Sequence, residues 1–299
     1  MNNQNNKSFT LIEVLVVVII IGAMAAIILV NTNDALENKQ RLEVLNFSEG
    51  LKSKNVNSLV SEWTFDGPTP AGSAATNADV KDSWGYNDGD VTGHAPTVRE
   101  SEDCVSGNCL NFDGNDYIDC GRDVSLDITG NMTVGVWIKP NSVTSYKMIA
   151  TKSGGTISET QWEIRTYTDR VEFLASNGIN NPYIAYKAGL SIGTWHYAVG
   201  ILKNNVFSVY LNGVKGVDAT LQGTQTTTDY STKIGTRKDA TELNYNFNGL
   251  IDDLRIYNAA LSSSQIEQNY IAGLNLLLKN GAISKEEYSQ RILNIAQND

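Results

Sequence analysis

Histidine is scarce in this chain. Only His94 and His196 occur among 299 residues, so nucleophilic or acid–base chemistry built on imidazole is poorly supplied. Cysteine is nearly as rare, and Cys104, Cys109 and Cys120 all fall in one short stretch, which points to one local disulfide rather than a metal cluster. Bases are outnumbered, with 23 Lys and Arg against 33 Asp and Glu for a net charge of -10. The segments before Ser61 and after Tyr270 each balance acids with bases, so the whole excess lies between them. Such a surface repels phosphate backbones, and no basic patch with interleaved aromatics relieves it, which excludes nucleic acid and leaves divalent cations as the favoured counter-charge. Hydrophobic residues make up 41% and charged residues 19%, a globular composition that can supply a full-sized core.

The amino terminus carries the strongest local signal. From Phe9 to Val30 the only charged side chain is Glu13. A helix over this stretch, at ~1.5 Å per residue, spans a ~30 Å hydrocarbon core. A secretory signal peptide does not fit, because the leader Met1 to Ser8 has a single Lys and no A-x-A-like site follows the apolar run. A plain membrane anchor leaves Glu13 unexplained, since a carboxylate in the bilayer costs at least about 2.5 kcal/mol unless it is paired. Beyond Val30, Leu42, Val44, Leu45, Phe47 and Leu51 recur at roughly helical spacing, so the anchor is expected to continue as an amphipathic helix, with Gly50 as its weakest point.

The run Lys7-Ser8-Phe9-Thr10-Leu11-Ile12-Glu13-Val14-Leu15 resembles the processing motif of type IV prepilins and pseudopilins. The resemblance implies that a prepilin peptidase cuts between Ser8 and Phe9, that the new Phe9 amine is methylated, and that Glu13 pairs with the amine of a neighbouring subunit. It also implies residence in the inner or cytoplasmic membrane before assembly, then a homo-oligomeric filament on the cell surface built through these helices. Two departures stand out. Ser8 occupies the place where that family usually has Gly, keeping the small size, and no proline interrupts the segment from Gly22 to Leu59 as in many major pilins.

From about Leu59 to Tyr257 the pattern changes to short β-branched and aromatic runs separated by Gly, Asn, Asp and Ser. Met132 to Lys139, Gln161 to Thr166, Val171 to Ala175, Trp195 to Lys203, Val206 to Leu211 and Leu250 to Tyr257 read as strands. Asn204-Asn205 and Asn212-Gly213 read as two-residue hairpin loops. A series of strands without intervening helices predicts a sandwich or jelly roll. A hairpin of Leu110 to Phe112 with Tyr117 to Asp119 around Gly114-Asn115 would set Cys109 opposite Cys120. The rival pairing is Cys104 with Cys109.

The order of the blocks is more specific. Trp63-Thr64-Phe65-Asp66-Gly67, Leu110 to Ile118, Val134 to Pro140, Thr194-Trp195-His196-Tyr197, Val209 to Gly213 and Gly249 to Tyr257 resemble the LamG-like concanavalin A-type fold over about two thirds of the chain. Members of that fold bind glycans or proteins or act as spacers, and many carry calcium. The resemblance therefore implies a calcium site, with Asp66, Asp82, Asn87, Asp88, Asp252 and Asp253 as its candidate oxygen donors. All five tryptophans lie in this region; Trp63, Trp137 and Trp195 sit in strand blocks and are expected in the core, leaving Trp84 and Trp162 as the candidates for stacking on a glycan. The fold also hosts glycosidases, which need two carboxyls on one face. Glu163 stands alone in its strand, and adjacent Asp252 and Asp253 point to opposite faces, so a non-catalytic domain is expected.

After the last strand, Ser262 to Gln265 reads as a capping box opening a helix through Leu278, with Gly281 as its stop signal and Ser284 to Glu287 opening another. Leu274, Leu277, Leu278, Ile283, Tyr288, Ile292 and Ile295 would form the apolar stripe of a helical hairpin. Its central stretch is similar to a short oligomerisation module of other bacterial proteins, and a solvent-capped tail is the plain alternative. The expected organisation is a leader over residues 1–8, a hydrophobic then amphipathic helix over 9–60, a β-sandwich over 61–260 and a helical hairpin over 261–299. The expected function is a type IV pilin-like filament subunit whose sandwich contacts surfaces, cells or glycans. The alternatives are a pseudopilin of a secretion or DNA-uptake system and a monomeric membrane-anchored lectin.

Overall fold

A computed structural model describes residues 57–179, 183–237 and 245–297. Ser8, Phe9, Glu13 and the apolar and amphipathic segments that follow them lie outside the described residues. Among the described residues no helix is long and apolar enough to cross a membrane.

The strands are β1 (Leu59–Trp63), β2 (Thr97–Arg99), β3 (Cys109–Asp113), β4 (Ile118–Asp119), β5 (Met132–Pro140), β6 (Lys147–Ser153), β7 (Thr160–Tyr167), β8 (Arg170–Ala175), β9 (Tyr183–Ala188), β10 (His196–Lys203), β11 (Val206–Leu211), β12 (Val214–Lys215), β13 (Ala219–Thr220), β14 (Thr232–Ile234) and β15 (Asn248–Tyr257), followed by helices α1 (Ser263–Lys279) and α2 (Lys285–Ala296). β1 begins at Leu59, where the strand pattern starts in the sequence and two residues ahead of the expected boundary at residue 61. One sheet of nine strands runs β12-β11-β10-β5-β15-β3-β2, with β1 added on β15 and β13 on β11. The second, of six strands, runs β4-β14-β6-β7-β8-β9. Among the described residues these strands all pair antiparallel, so the architecture is a jelly-roll-like sandwich.

Local chemistry makes the hairpins. Asn204 and Asn205 adopt φ 51° and 65° between β10 and β11, and Asn212 and Gly213 adopt φ 55° and 81° between β11 and β12. Left-handed conformations at both central residues match the right-handed twist of the flanking strands, and Asn and Gly accept them most readily. The expected hairpin across Gly114-Asn115 does not form. β3 pairs with β2 and β15 in the larger sheet, whereas β4 pairs with β14 in the smaller one. The turn residues carry the chain from one sheet to the other, and Asn248 to Ile251, far away in sequence, supplies the partner that the local reading assigned to Tyr117 to Asp119.

Two cores follow from the alternation of side chains. Trp63, Phe112, Val134, Val136, Ile138, Ile164, Phe173 and Ile251 pack between the sheets. On the outer face of the larger sheet, Trp137, Tyr197 and Val199 pack against Tyr270, Leu274 and Leu277 of α1 and Ile295 of α2. The run Met132 to Ile138 is apolar on both faces because both faces are covered, an arrangement in which alternation disappears from the sequence. The capping box of Ser262 and Gln265 starts α1, and the Ser284 side chain accepts the Glu287 N–H to start α2. Burying each large aliphatic side chain of this hairpin contributes about 1.5–3 kcal/mol, so α1 is part of the folded domain rather than a free tail. Trp63, Trp137 and Trp195 are all buried.

Candidate functional site

Two groups of charged residues qualify as sites. The first gathers around the disulfide between Cys104 and Cys109, which is the pairing realised; Cys120 is free and buried because β4 leaves for the other sheet. Asp252 of β15 accepts the backbone N–H groups of Val105 at 2.9 Å and Ser106 at 3.1 Å through Oδ2. Asp66 accepts the Asn108 N–H at 2.7 Å. The two carboxylates thus clasp the disulfide loop. Asp253 sits at φ 48° where the β15 to β5 register shifts between Asp252 and Arg255, a bulge that re-aims its side chain. Arg255 pairs with Glu62 at 2.6 Å and with Asp253 at 3.2 Å.

The electrostatics of this group are unbalanced. Burial, then the like charge of Asp253, pushes the Asp252 carboxyl well above the usual range. Burial also raises Asp66, against the hydrogen bond from Asn108. Asp252 Oδ1 is buried without a hydrogen-bond partner, and such an atom normally costs about 1–3 kcal/mol. Among the described residues no set of three or more His, Cys, Asp or Glu is already gathered as a metal centre. The orphaned oxygen is the feature in this group that an oxygen-seeking cation would fit.

Asp82, Asn87 and Asp88 serve a different purpose. Asp82 accepts the N–H groups of Glu62, Trp84 and Gly85 on one oxygen and of Asn87 on the other. Asp88 accepts the Asp82 N–H and pairs with Lys81 at 2.6 Å. Asn87 donates to Ser61 and Ser125. These three residues close an 82–88 loop, and their polar atoms are spent on it. That loop presents Trp84 at 45% exposure and Tyr86 at 98%. Trp162 is 1% exposed in the inter-sheet core; strand parity puts it on the inner face of β7, so the expectation that it stacks on a glycan is corrected.

The second group covers the outer face of the smaller sheet. Trp162 and Ile164 turn inward, so Glu163 and Arg165 turn outward. Glu163 lies opposite Thr151 of β6 and Leu174 of β8, and Arg165 lies opposite Glu172. Glu163 and Glu172 are therefore diagonal neighbours on one face, a relationship hidden when Glu163 is read within its strand alone. Both oxygens of Glu172 are engaged, one by Arg165 at 2.8 Å and the other by Arg170 at 2.5 Å. Glu163 accepts the Thr160 hydroxyl at 3.4 Å on Oε2, and among the described residues its ionic contacts are long, to Arg165 at 3.8 Å and Arg237 at 4.0 Å. Burial raises its carboxyl, the two guanidiniums opposing that shift. Tyr146 stacks on Tyr167 and lies under Arg165, and Tyr245 lies under Arg237. Glu172, Arg237 and Asn246 were not singled out from sequence; the polar alternation Gln161, Glu163, Arg165 in an otherwise apolar strand was the available signal.

His196 is structural. Its ring contacts Asn212 at 2.9 Å and Ser191 at 3.1 Å, and burial, aided by Arg291, lowers its pKa to about 4.

A family model described as the concanavalin A-like lectin/glucanases superfamily matches residues 112–267. The chain belongs to this superfamily. A second model, the prokaryotic N-terminal methylation motif, matches residues 3–29. Among solved structures, domain 4 of AbnA, a GH43 extracellular arabinanase from Geobacillus stearothermophilus in complex with arabinotriose, is similar at 21% identity and TM-score 0.55, covering 70% of this chain and 97% of that one. The receptor-binding domain of botulinum neurotoxin mosaic serotype C/D is similar at 16% identity and TM-score 0.54, covering 74% of this chain and 52% of that one. A Trypanosoma rangeli sialidase in complex with 2,3-difluorosialic acid matches at 13% identity and TM-score 0.52, covering 72% of this chain and 33% of that one. The chain thus spans about half the length of the toxin domain and a third of the sialidase. At these identities the likeness is one of fold, and the superfamily includes both binding domains and hydrolases.

Proposed function

We propose that the protein is a type IV pilin-like subunit of an extracellular filament that displays its sandwich for adhesion to surfaces, cells or glycans. The observation that carries this reading is the methylation motif at residues 3–29 ahead of a lectin-type sandwich. Chemistry supports it. Glu13 is the lone charge between Phe9 and Val30, and an ammonium from the next subunit would offset the cost of placing it among apolar helices. On this reading a prepilin peptidase cuts between Ser8 and Phe9, the apolar helix holds the subunit in the membrane before assembly, and Phe9 with Glu13 sets the register of the homo-oligomer.

The sandwich is read as a binding domain rather than a hydrolase. A glycosidase needs two working carboxyls across the scissile bond, and Glu172, the diagonal partner of Glu163, has both oxygens held by guanidiniums. The arabinotriose in the arabinanase domain favours a glycan as the ligand class. We also propose calcium as a structural ion held by Asp66, Asp252 and Asp253. Bound there, it would supply positive charge to Asp66 and Asp252, since Arg255 already pairs with Asp253. Processing tests the filament reading. Mass spectrometry of protein from its native membrane is expected to show loss of Met1 to Ser8 and one methyl group on Phe9; an intact Met1 on assembled protein would contradict it.

A further inference from the structure

Among the described residues, the loop closed by Asp82 and Asp88 carries the two most exposed aromatic side chains, Trp84 at 45% and Tyr86 at 98%. Val124, 79% exposed, joins them, because Asn87 in the same loop donates through Nδ2 to the Ser125 hydroxyl at 3.1 Å. Trp63, Trp137, Trp162 and Trp195 are at most 2% exposed, so Trp84 is the tryptophan that solvent reaches. The display is rigid. Asp82 holds four backbone N–H groups of the loop and of β1, and the Ser83 N–H donates to the Glu62 carbonyl at 2.8 Å. A Cβ on Gly85 would come within 2.5 Å of the Val60 carbonyl oxygen, so the loop packs directly on the backbone of β1. Side chains presented this way give up little freedom on binding. Glu163 Oε1, Arg237 Nε and Asn246 Nδ2 also lack hydrogen-bond partners, but they are buried and no ligand reaches them.

We propose that Trp84, Tyr86 and Val124 form a contact surface for the phospholipid bilayer that holds the subunit before assembly. The proposal rests on the membrane residence in the filament reading and not on the ligand of the sandwich. Three observations select the bilayer as the occupant. A saccharide is oriented by a few free polar groups, and those of Asp82, Asn87 and Asp88 are taken up by the loop itself. The headgroup layer requires no fixed partner, since indole and phenol rings settle there with the apolar body toward the acyl chains and the polar tip in water. Charge agrees. The chain carries -10, yet beside the patch Lys81 pairs with Asp88 and Arg255 with Glu62, and Arg122 stands next to Asp123. A locally neutral patch suits zwitterionic headgroups, whereas anionic lipid is selected by basic clusters. Residues 1–56, with the apolar run from Phe9 to Val30, precede the described domain and join it at this edge, because Ser58 and Val60 lead into the strand on which the loop rests. Other exposed apolar side chains such as Ile192 and Leu293 come singly, which is ordinary.

The test uses the full-length chain reconstituted into phosphatidylcholine vesicles, either plain or brominated on the upper acyl chain, with flotation to show insertion. The emission that differs between wild type and Trp84→Phe reports Trp84 alone. That difference is expected to fall about twofold or more in brominated lipid, because an interfacial ring lies within reach of the upper acyl chain, and to be shielded from aqueous iodide. Tyr86→Ser combined with Val124→Ser, both at exposed positions, should keep the melting temperature, weaken quenching by brominated lipid and restore access to iodide. Emission quenched by iodide and untouched by brominated lipid, in vesicles that carry the chain, would overturn the proposal and leave the filament reading standing. Shielding from iodide by arabinotriose, with no effect of brominated lipid, would assign the loop to a glycan and equally overturn it. A chain that fails to float with the vesicles would overturn the membrane residence and this proposal with it, while cleavage before Phe9 is decided separately by mass spectrometry.

Discussion

Asp252 accepts the Val105 N–H at 2.9 Å across 147 residues of sequence. This contact ties the last strand to the disulfide loop, and it leaves the second oxygen of a fully buried carboxyl with no partner. Buried carboxylates are tolerated when a cation or several hydrogen bonds balance them. Calcium at Asp66, Asp252 and Asp253 would stabilise the native state by RT ln(1 + [L]/Kd), roughly 2.7 kcal/mol at a hundred times Kd. The full chain is therefore expected to melt several degrees higher in millimolar calcium than in chelator. Asp252→Asn keeps an acceptor for the Val105 and Ser106 N–H groups but removes the charge, and it should abolish that increment. Equal melting curves with and without calcium would return Asp252 to a purely structural clasp.

The helical hairpin offers a test of opposite signs. Gly273 lies on the face of α1 that meets the larger sheet, where an added Cβ would come within 2.2 Å of Trp137 Cζ2. In an isolated helix Gly→Ala gains about 1 kcal/mol. Against the sheet, overpacking costs about 1–3 kcal/mol. Gly273→Ala should lower the melting temperature by a few degrees. A rise would mean that α1 is a detachable tail.

Acid should unfold this domain partly through His196. Its pKa is lowered from 6.5 to about 4 in the fold, so between those values the unfolded chain binds the extra proton. Stability is then lost as pH falls through the unfolded value, by roughly 3 kcal/mol between pH 7 and pH 4 from this residue. Denaturant titrations of wild type and His196→Gln should show a stability difference that narrows by about that amount on acidification. A pH-independent difference would contradict the burial of a neutral imidazole.

Much of the sandwich is legible in the sequence where contacts are local. Val206 to Leu211 coincides with β11, and Asn204-Asn205 announces its hairpin by the left-handed conformations that asparagine tolerates. The failure at Gly114-Asn115 has a physical cause. Turn chemistry says that the chain reverses, but it does not say which sheet receives the next strand, and that is decided by β14 and β15 more than a hundred residues away. The amphipathic stripe of α1 was visible, whereas its landing place on Trp137 and Tyr197 was not, because Met132 to Ile138 is apolar on both faces. At the candidate sites, Asp66 and Asp252 both accept backbone N–H groups of the disulfide loop, a convergence of distant segments that local sequence does not mark. Asp82 and Asp88 are absorbed by their own turn. Arg237 and Asn246 escaped because an orphaned polar atom is a property of packing, and nothing local in the sequence marks it.

On the filament reading proposed above, Glu13 pairs with the amine of a neighbouring subunit. Electron microscopy of cell-surface filaments from cells expressing Glu13→Ala in place of the wild-type chain, with immunoblots of the membrane fraction, tests it most directly. Normal membrane insertion and cleavage after Ser8, with filaments lost or severely reduced, is the expected result. Filaments of wild-type number and length built from the variant would contradict it and leave the N-terminal helix a simple tether for a lectin-type domain.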